Sequence, residues 1–559
     1  MTTRSNASDL RCDVLVIGGG PAGTWAAWSA ACTGASVTLV DKGFCGTSGA
    51  TAPSGTAIWW IAPDPALREA AKAQRETLGG HLASHAWMDR VLEHTWDNLE
   101  RLAGWGYPFP RDEAGRDIRS SLQGPDYMRL MRRQVKQAGV RILDHHPALQ
   151  LLVDADGAVR GASGVHGTDE QPWRIAARAV VLATGGCAFL SKALGTNVLT
   201  GDGHLMAARA GAVLSGMEFS NAYGLGPAFS SVTKSLFYKW ATFYDESGRE
   251  LEGAGSQRGR SVIARALMSG RVYAMLDRAD ASVHGWMRDA QPNYFLPFDR
   301  QGIDPFTQPF EVGLRLEGTV RGTGGLRVTA FDCRTDVPGL YAAGDAASRE
   351  PICGGFTGGG SHNSAWAMST GTWAGEAAAR WAGREAAGRF AATGPAMTGS
   401  SIAHPATIGS ATTRPAADED AARTTSGSAA QHDAAELIAA VQREVFPIDR
   451  NWFRSGARLA ESLDRLDAWW DRAGRAALPA AGPGSRRAHE ALAMLATARW
   501  MYRSAQARTE TRGMHRRDDH PSLDPAQRHH VLCGGLDEVW TGIGVGHRAA
   551  PPASQRIAA

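Results

Sequence analysis

The chain has 559 residues, with 59 basic against 56 acidic side chains and a formal net charge of +3. That length gives about two to four domains with cores large enough for an enzyme, and the balanced charge, without a dense Lys/Arg block, argues against a nucleic-acid or anionic-membrane partner. No stretch approaches the ~18 apolar residues of a membrane span, "MTTRSNASDLR" lacks the apolar core of a secretory signal, and seven scattered cysteines without a CxxC pair argue against a metal site. A soluble, cytoplasmic protein is expected.

The first elements carry the clearest chemistry. Val14 to Ile17 is a short β-branched run that reads as a buried strand, Ala22 to Thr33 is Ala-rich and helical, and "ASVTLVD" reads as a second strand ending at Asp41, with Lys42 next. Between strand and helix, Gly18, Gly20, Pro21, Ala22 and Gly23 fit G-x-G-x-x-G, whose bare backbone lets a pyrophosphate approach a helix N-terminus. Asp41 stands where a ribose hydroxyl would need an acceptor. A second small-residue run, "GTSGATAPSGTAIWW", contains Thr47, Ser48, Gly49 and Ala50 and has no role in a nicotinamide site.

Further along, Ser84 to Gly104 reads as a helix with Met88, Leu92, Trp96, Leu99 and Ala103 on one face. Alternating segments about Gly157 read as strands joined by an Asp-Gly turn, and "ARAVVLATGG" is a buried strand ending at Thr184 and Gly185. "PGLYAAGDAA" repeats the strand-then-glycine pattern and ends at Gly344 and Asp345. Residues 391–433 are rich in Thr, Ser, Ala, Gly and Pro and read as a flexible linker, followed by helical periodicity.

Taken together, these motifs resemble the flavoproteins related to fumarate reductase, succinate dehydrogenase, L-aspartate oxidase and adenylylsulfate reductase. The small-residue loop pattern is nearest to the last of these. "TGDGHLMAARAGA" with Asp202, "GGGSHNSAWAMSTGTWAGEAAA" with Ser361 and Asn363, and "ETRGMHRRDDHP" resemble family segments too. The resemblance implies FAD as cofactor, with Gly18, Gly20, Pro21, Ala22, Gly23, Asp41, Lys42, Thr47, Ser48, Gly49, Ala50, Thr184, Gly185, Asp202, Gly344, Asp345, Ser361 and Asn363 as its binding set. No histidine lies between Gly43 and Trp60, so the FAD is expected to be non-covalent.

The implied fold is α/β: a discontinuous Rossmann-like FAD-binding domain (1–215 and 325–390), an inserted α+β capping domain (216–324), a flexible linker (391–433) and a helical C-terminal domain (434–559). The resemblance maps the family's catalytic arginine to Arg260, with a surface or salt-bridging arginine as the alternative. Two family histidines map to Tyr223 and to the region of Val320 and Arg321, and a substrate arginine maps near Gly358. A dicarboxylate clamp is therefore not assembled from the expected positions, which argues against succinate, fumarate or aspartate. His362 is the titratable candidate to stand in for them, or else a histidine that only bonds backbone or flavin, while Tyr223 is a weaker catalytic candidate. His515 and Arg517 read as structural residues of a domain junction.

The expected activity is an FAD-dependent oxidoreductase moving a hydride between a small organic substrate and flavin N5. Two alternatives remain open: the flavin-carrying chain of an electron-transfer complex whose partner carries iron-sulfur clusters or another redox centre, and a self-contained oxidase using O2.

Overall fold

The computed structural model describes residues 10–111, 115–233, 236–255, 259–357, 359–387, 433–475 and 484–544. Except for its last position, the expected linker at 391–433 lies outside the described residues, as does Gly358.

The first hydrophobic runs build a seven-stranded sheet. Leu10–Ile17 pairs in parallel with Val37–Val40 on one side and with Gln171–Leu182 on the other, in register Val14 to Val37 and Val14 to Ala179. Val14, Leu15 and Val16 are fully buried, as the middle strand of a parallel sheet covered on both faces must be. The far edge of Gln171–Leu182 has two partners. Its first half pairs antiparallel with Val159–His166, and its last residues pair parallel with Leu340–Ala342.

This topology gathers the motifs. Leu10–Ile17, Val37–Val40, Gln171–Leu182 and Leu340–Ala342 run in one direction, so Gly18, Asp41, Thr184 and Gly344 emerge at one edge, where ligands of open α/β sheets bind. Helices Pro21–Cys32 and Gly359–Ala387 cross closely there: a Cβ on Gly371 would fall on the Ala22 carbonyl oxygen, and Ser29 Oγ donates to Thr372 O at 3.1 Å.

A second sheet is wholly antiparallel, in the order Ala222–Pro227, Phe310–Glu317, Val272–Met275, Thr242–Asp245. Helices Arg260–Leu267, Ala281–Ala290 and Pro292–Gln301 accompany it around an aromatic core that includes Phe237, Phe243, Tyr294, Phe295, Phe298 and Phe310. This unit is fastened to the first by Asn293 Nδ2 donating to Pro53 O at 2.8 Å and Gln123 Nε2 donating to Ala290 O at 3.1 Å.

Nearer the C-terminus, helices Gly456–Arg475 and Ser485–Ala507 pack on each other, in keeping with the helical periodicity. Strands His530–Gly534 and Trp540–Gly544 follow these helices within the helical C-terminal part. The first of them returns to pair with Leu214–Ser215, which in turn pairs with Gly325–Leu326. Two five-residue strands are too short for their period to stand out against a helical background.

A buried ion network seals this junction. Arg508 donates to Glu218 Oε1 at 2.8 Å and to Glu510 Oε1 at 2.9 Å, and Arg512 donates to Glu510 Oε2 at 3.0 Å, all with side chains almost fully enclosed. His515 accepts at Nδ1 from Arg454 at 2.7 Å, and burial holds its pKa well below the ordinary histidine range. Neither His515 nor Arg517 borders the cavity described next.

Candidate active site

The converging loops enclose a cavity of ≈ 1190 Å³ that runs from the fingerprint glycines to the antiparallel unit. Pockets for drug-sized ligands hold about 300–1,000 Å³, so this one has room for a dinucleotide and a second, smaller molecule.

At its deep end lies the fingerprint turn. Gly18 has φ +109°, a conformation that suits glycine, and a Cβ on Gly23 would fall on the Gly18 carbonyl oxygen, so the loop can take this path only with bare backbone at both positions. Helix Pro21–Cys32 starts directly after it, with no side-chain cap at Gly20, and Pro21 and Ala22 border the cavity. Asp41 is buried; its Oδ2 accepts from Gly19 N at 2.6 Å, and its Oδ1 accepts from Gly43 N and Ser48 Oγ, each at 2.7 Å. The carboxylate thus ties the first loop to the second small-residue run.

Lys42 works differently from a ligand-facing residue. Its ammonium donates to Asp202 at 2.7 Å, Thr200 Oγ1 at 2.8 Å and Val198 O at 3.0 Å, and lies 2.9 Å from Glu490 on helix Ser485–Ala507. Burial alone would raise the Glu490 pKa, but Lys42 and Arg486 together outweigh it and hold it at about 2. Asp345 pairs with buried Arg349, which also donates to the carbonyls of Thr319 and Val320 at 3.1 Å. Burial pushes the Asp345 carboxyl up, against the pull of Arg349 and Arg321.

Of the sequence-predicted residues, Gly18, Gly20, Pro21, Ala22, Asp41, Lys42, Ser48, Gly49, Ala50, Thr184, Gly185, Asp202, Gly344, Asp345, Ser361 and Asn363 all border the cavity, as do Arg260, His362 and Tyr223. Gly23 and Thr47 do not. Gly23 serves the loop–helix contact, and Thr47 Oγ1 turns back to Phe44 O at 3.3 Å.

At the other end, His362 stacks on Trp59 with centroids 4.4 Å apart, and its Nδ1 lies 3.2 Å from Ser361 Oγ. Asn363 Nδ2 donates to Val320 O at 2.8 Å while its buried Oδ1 has no partner among the described residues. Arg260 begins helix Arg260–Leu267 and donates to Tyr223 O at 3.1 Å; burial lowers its pKa to about 10. The Tyr223 hydroxyl donates to the carbonyls of Val445 and Phe446 at 3.0 and 3.2 Å, and burial pushes its pKa well up. Sequence reasoning did not single out Arg516, Trp452, Phe356 and Asn221, which close this end. They come from four separate segments, and no local spacing marks them.

Comparison with known proteins agrees with this geometry. The family described as FAD binding domain matches residues 13–223, and the fumarate reductase flavoprotein C-terminal family matches residues 445–539. The chain carries both of these domains, and its homologues are fumarate reductases and L-aspartate oxidases. It is an FAD-dependent oxidoreductase.

Among its relatives, one of the subunits of the fumarate reductase (CoM/CoB) of Methanothermobacter marburgensis is 26% identical over 93% of this chain and 96% of that one. The L-aspartate oxidase of Streptomyces coelicolor is 29% identical over 73% of this chain and 69% of its own. In fold, the flavoprotein resembles E. coli quinol fumarate reductase, with TM-score 0.75 and 22% identity over 98% of both chains. It also resembles adenylylsulfate reductase of Archaeoglobus fulgidus, with TM-score 0.71 and 20% identity over 97% of both. None of its described helices is long and apolar enough to cross a membrane.

The residues present fit FAD. The glycine turn and helix N-terminus suit a pyrophosphate, the cavity of ≈ 1190 Å³ leaves room for a flavin beyond it, and the unsatisfied Asn363 Oδ1 offers an acceptor in the first turn of helix Gly359–Ala387.

Proposed function

We propose that this flavoprotein holds FAD non-covalently through Gly18, Gly20, Pro21, Ala22, Asp41, Ser48, Gly49, Ala50, Thr184, Gly185, Gly344, Asp345, Ser361 and Asn363. We further propose that it moves a hydride between flavin N5 and a small organic substrate other than succinate, fumarate or aspartate. The observation that carries this reading is the continuous cavity joining the fingerprint turn to Arg260 and His362, with Tyr223 and Val320 where the family resemblance implies histidines. Lys42 and Asp202 brace the site instead of facing ligand, since each is engaged by the other.

FAD, when bound, supplies the two-electron chemistry. The chain supplies position and protons. Arg260 stands at the cap side with its guanidinium fixed on Tyr223 O, and its burial makes it a less reluctant proton donor than a solvated arginine. His362, held flat on Trp59 and beside Ser361 Oγ, is the second group able to give or take a proton near neutral pH. The rings of Trp59, Tyr223 and Trp452 give the cavity wall an apolar surface.

A second reading, the flavin-carrying chain of an electron-transfer assembly with an iron-sulfur or other redox partner, is favoured by the methanogen relative, which is itself named as one part of a larger reductase. The visible spectrum, acid precipitation and reoxidation of the photoreduced protein test both. A flavin spectrum with colour released to the acid supernatant is expected, and colour kept in the pellet would contradict non-covalent binding. Reoxidation in air over many minutes supports a separate electron acceptor, and reoxidation within seconds supports an O2-dependent oxidase.

A further inference from the structure

The charged groups lining the cavity balance at one end and not at the other. Lys42 meets Asp202 and Glu490, Asp345 meets Arg349, and Asp41 is saturated by two amides and a hydroxyl. Arg75 is spent on the carbonyls of Cys353, Phe356 and Thr357. Three guanidinium groups gather at the cap end. Arg260 donates to the Tyr223 carbonyl, Arg321 lies 3.5 Å from Glu317, and the Arg516 side chain makes no hydrogen bond or ion pair with any described residue.

Arg516 is held in place by its backbone. Its carbonyl accepts from Arg454 N at 3.2 Å, and two residues earlier Met514 N donates to Gly355 O at 2.8 Å. The half-buried side chain is disfavoured as a cation, first by burial and then by Arg265 nearby, against the weaker pull of Asp518. Beside it, Asn221 is 3% exposed and borders the same cavity. Its Nδ2 is committed to the carbonyls of Asn451 and Met514, each at 3.1 Å, and its Oδ1 has no partner among the described residues. A buried acceptor left unpaired is costly and calls for a donor. The intervening wall is aromatic, with Tyr223 and Trp452 5.5 Å apart and Phe237, Trp286 and Phe356 also lining the cavity.

We propose that Arg516 is the anion anchor of the substrate site, and that the substrate is a flat, aromatic monoanion whose acid group lies on Arg516 and whose hydrogen-bond donor meets Asn221 Oδ1. This rests on the reading of the cavity as the active site given above. A dianion has two acid groups to place, and the described residues offer it one guanidinium without an acceptor, that of Arg516. An aromatic body suits the ring-lined wall, and a charge-assisted pair with Arg516 relieves a guanidinium now half removed from water.

The test titrates the purified holoprotein with benzoate, benzamide and succinate, following both the flavin absorbance and the tryptophan fluorescence. Benzoate is expected to bind measurably, and benzamide and succinate at least about ten-fold more weakly, the range set by one hydrogen bond to a charged group. Arg516→Gln should weaken benzoate by a similar factor with FAD content unchanged, Arg516→Lys should restore part of it, and Arg265→Gln, which removes an exposed neighbouring charge, should change it less than about two-fold. Equal binding of benzoate and benzamide, equal binding of succinate, or an Arg516→Gln protein that binds benzoate like the parent would each overturn the proposal. A protein purified without flavin would instead count against the functional reading, and tryptophan quenching would still report whether the anion binds at Arg516.

Discussion

At the scale of single residues, Arg260 and Tyr223 lie in direct contact yet have different work. The guanidinium of Arg260 borders the cavity, whereas the phenol of Tyr223 is spent on the backbone carbonyls of Val445 and Phe446. Arg260→Met is therefore expected to abolish turnover while leaving the flavin spectrum intact, and turnover at the parent rate would remove Arg260 from the mechanism. Tyr223→Phe should behave in the opposite way. It leaves the ring against Trp452 and strands two acceptors, so a stability loss of about 1–3 kcal/mol in denaturant melts is expected with kcat within a few-fold of the parent. A large loss of kcat at unchanged stability would return the hydroxyl to the chemistry.

Among elements, the fingerprint depends on two helices that approach through small residues. Gly371 and Gly375 on helix Gly359–Ala387 face the carbonyls of Ala22 and Ala26 on helix Pro21–Cys32, with no room for a side chain between them. One helix presents its N-terminus to the glycine turn and the other carries Ser361, His362 and Asn363. Gly371→Val should therefore cost more than the roughly 1–3 kcal/mol of an ordinary overpacked site and lower FAD occupancy at the same time, measured by melting temperature and by the ratio of flavin to protein absorbance. This pairing also marks what the sequence made legible. The glycine turn, Asp41 and the strand ending at Gly344 were readable because each is a local pattern with a physical cause: a turn needing φ above zero, an acceptor at a strand end, a buried β-branched run. Arg516, Trp452 and Asn221 were not, because their meeting is made by the return of the C-terminal segment onto Gly355, and nothing within a few residues of any of them encodes it.

Over the whole molecule, the C-terminal part is locked to the flavin side by charge, and that sets how the protein responds to acid. Glu490 on helix Ser485–Ala507 is held at about 2 by Lys42 and Arg486 in spite of burial, below the 4.5 of a free glutamate. A depressed carboxylate contributes stability that is fully present above about pH 4.5 and is lost as pH falls toward 2. His94, His204 and His489 are each lowered to about 4, chiefly by burial, from the ordinary 6.5. The unfolded chain binds protons at these histidines that the folded chain refuses, so their contribution falls away between about pH 6.5 and 4. The melting temperature should hence decline below about pH 6.5, chiefly through the three histidines, and go on declining through Glu490 between about pH 4.5 and 2. His489→Gln should make the upper part of that decline shallower. Lys42→Met leaves Asp202 and Glu490 without their shared cation, which should cost about 3–5 kcal/mol at neutral pH, as for other broken buried pairs. The same variant should make the decline below pH 4.5 shallower, because Glu490 is then held ionised only by Arg486 and Arg487 on its own helix. A Lys42→Met protein with the parent's neutral stability and the parent's acid profile would mean that this network only decorates the junction, and that the apolar contacts of helix Ser485–Ala507 hold the two parts together unaided.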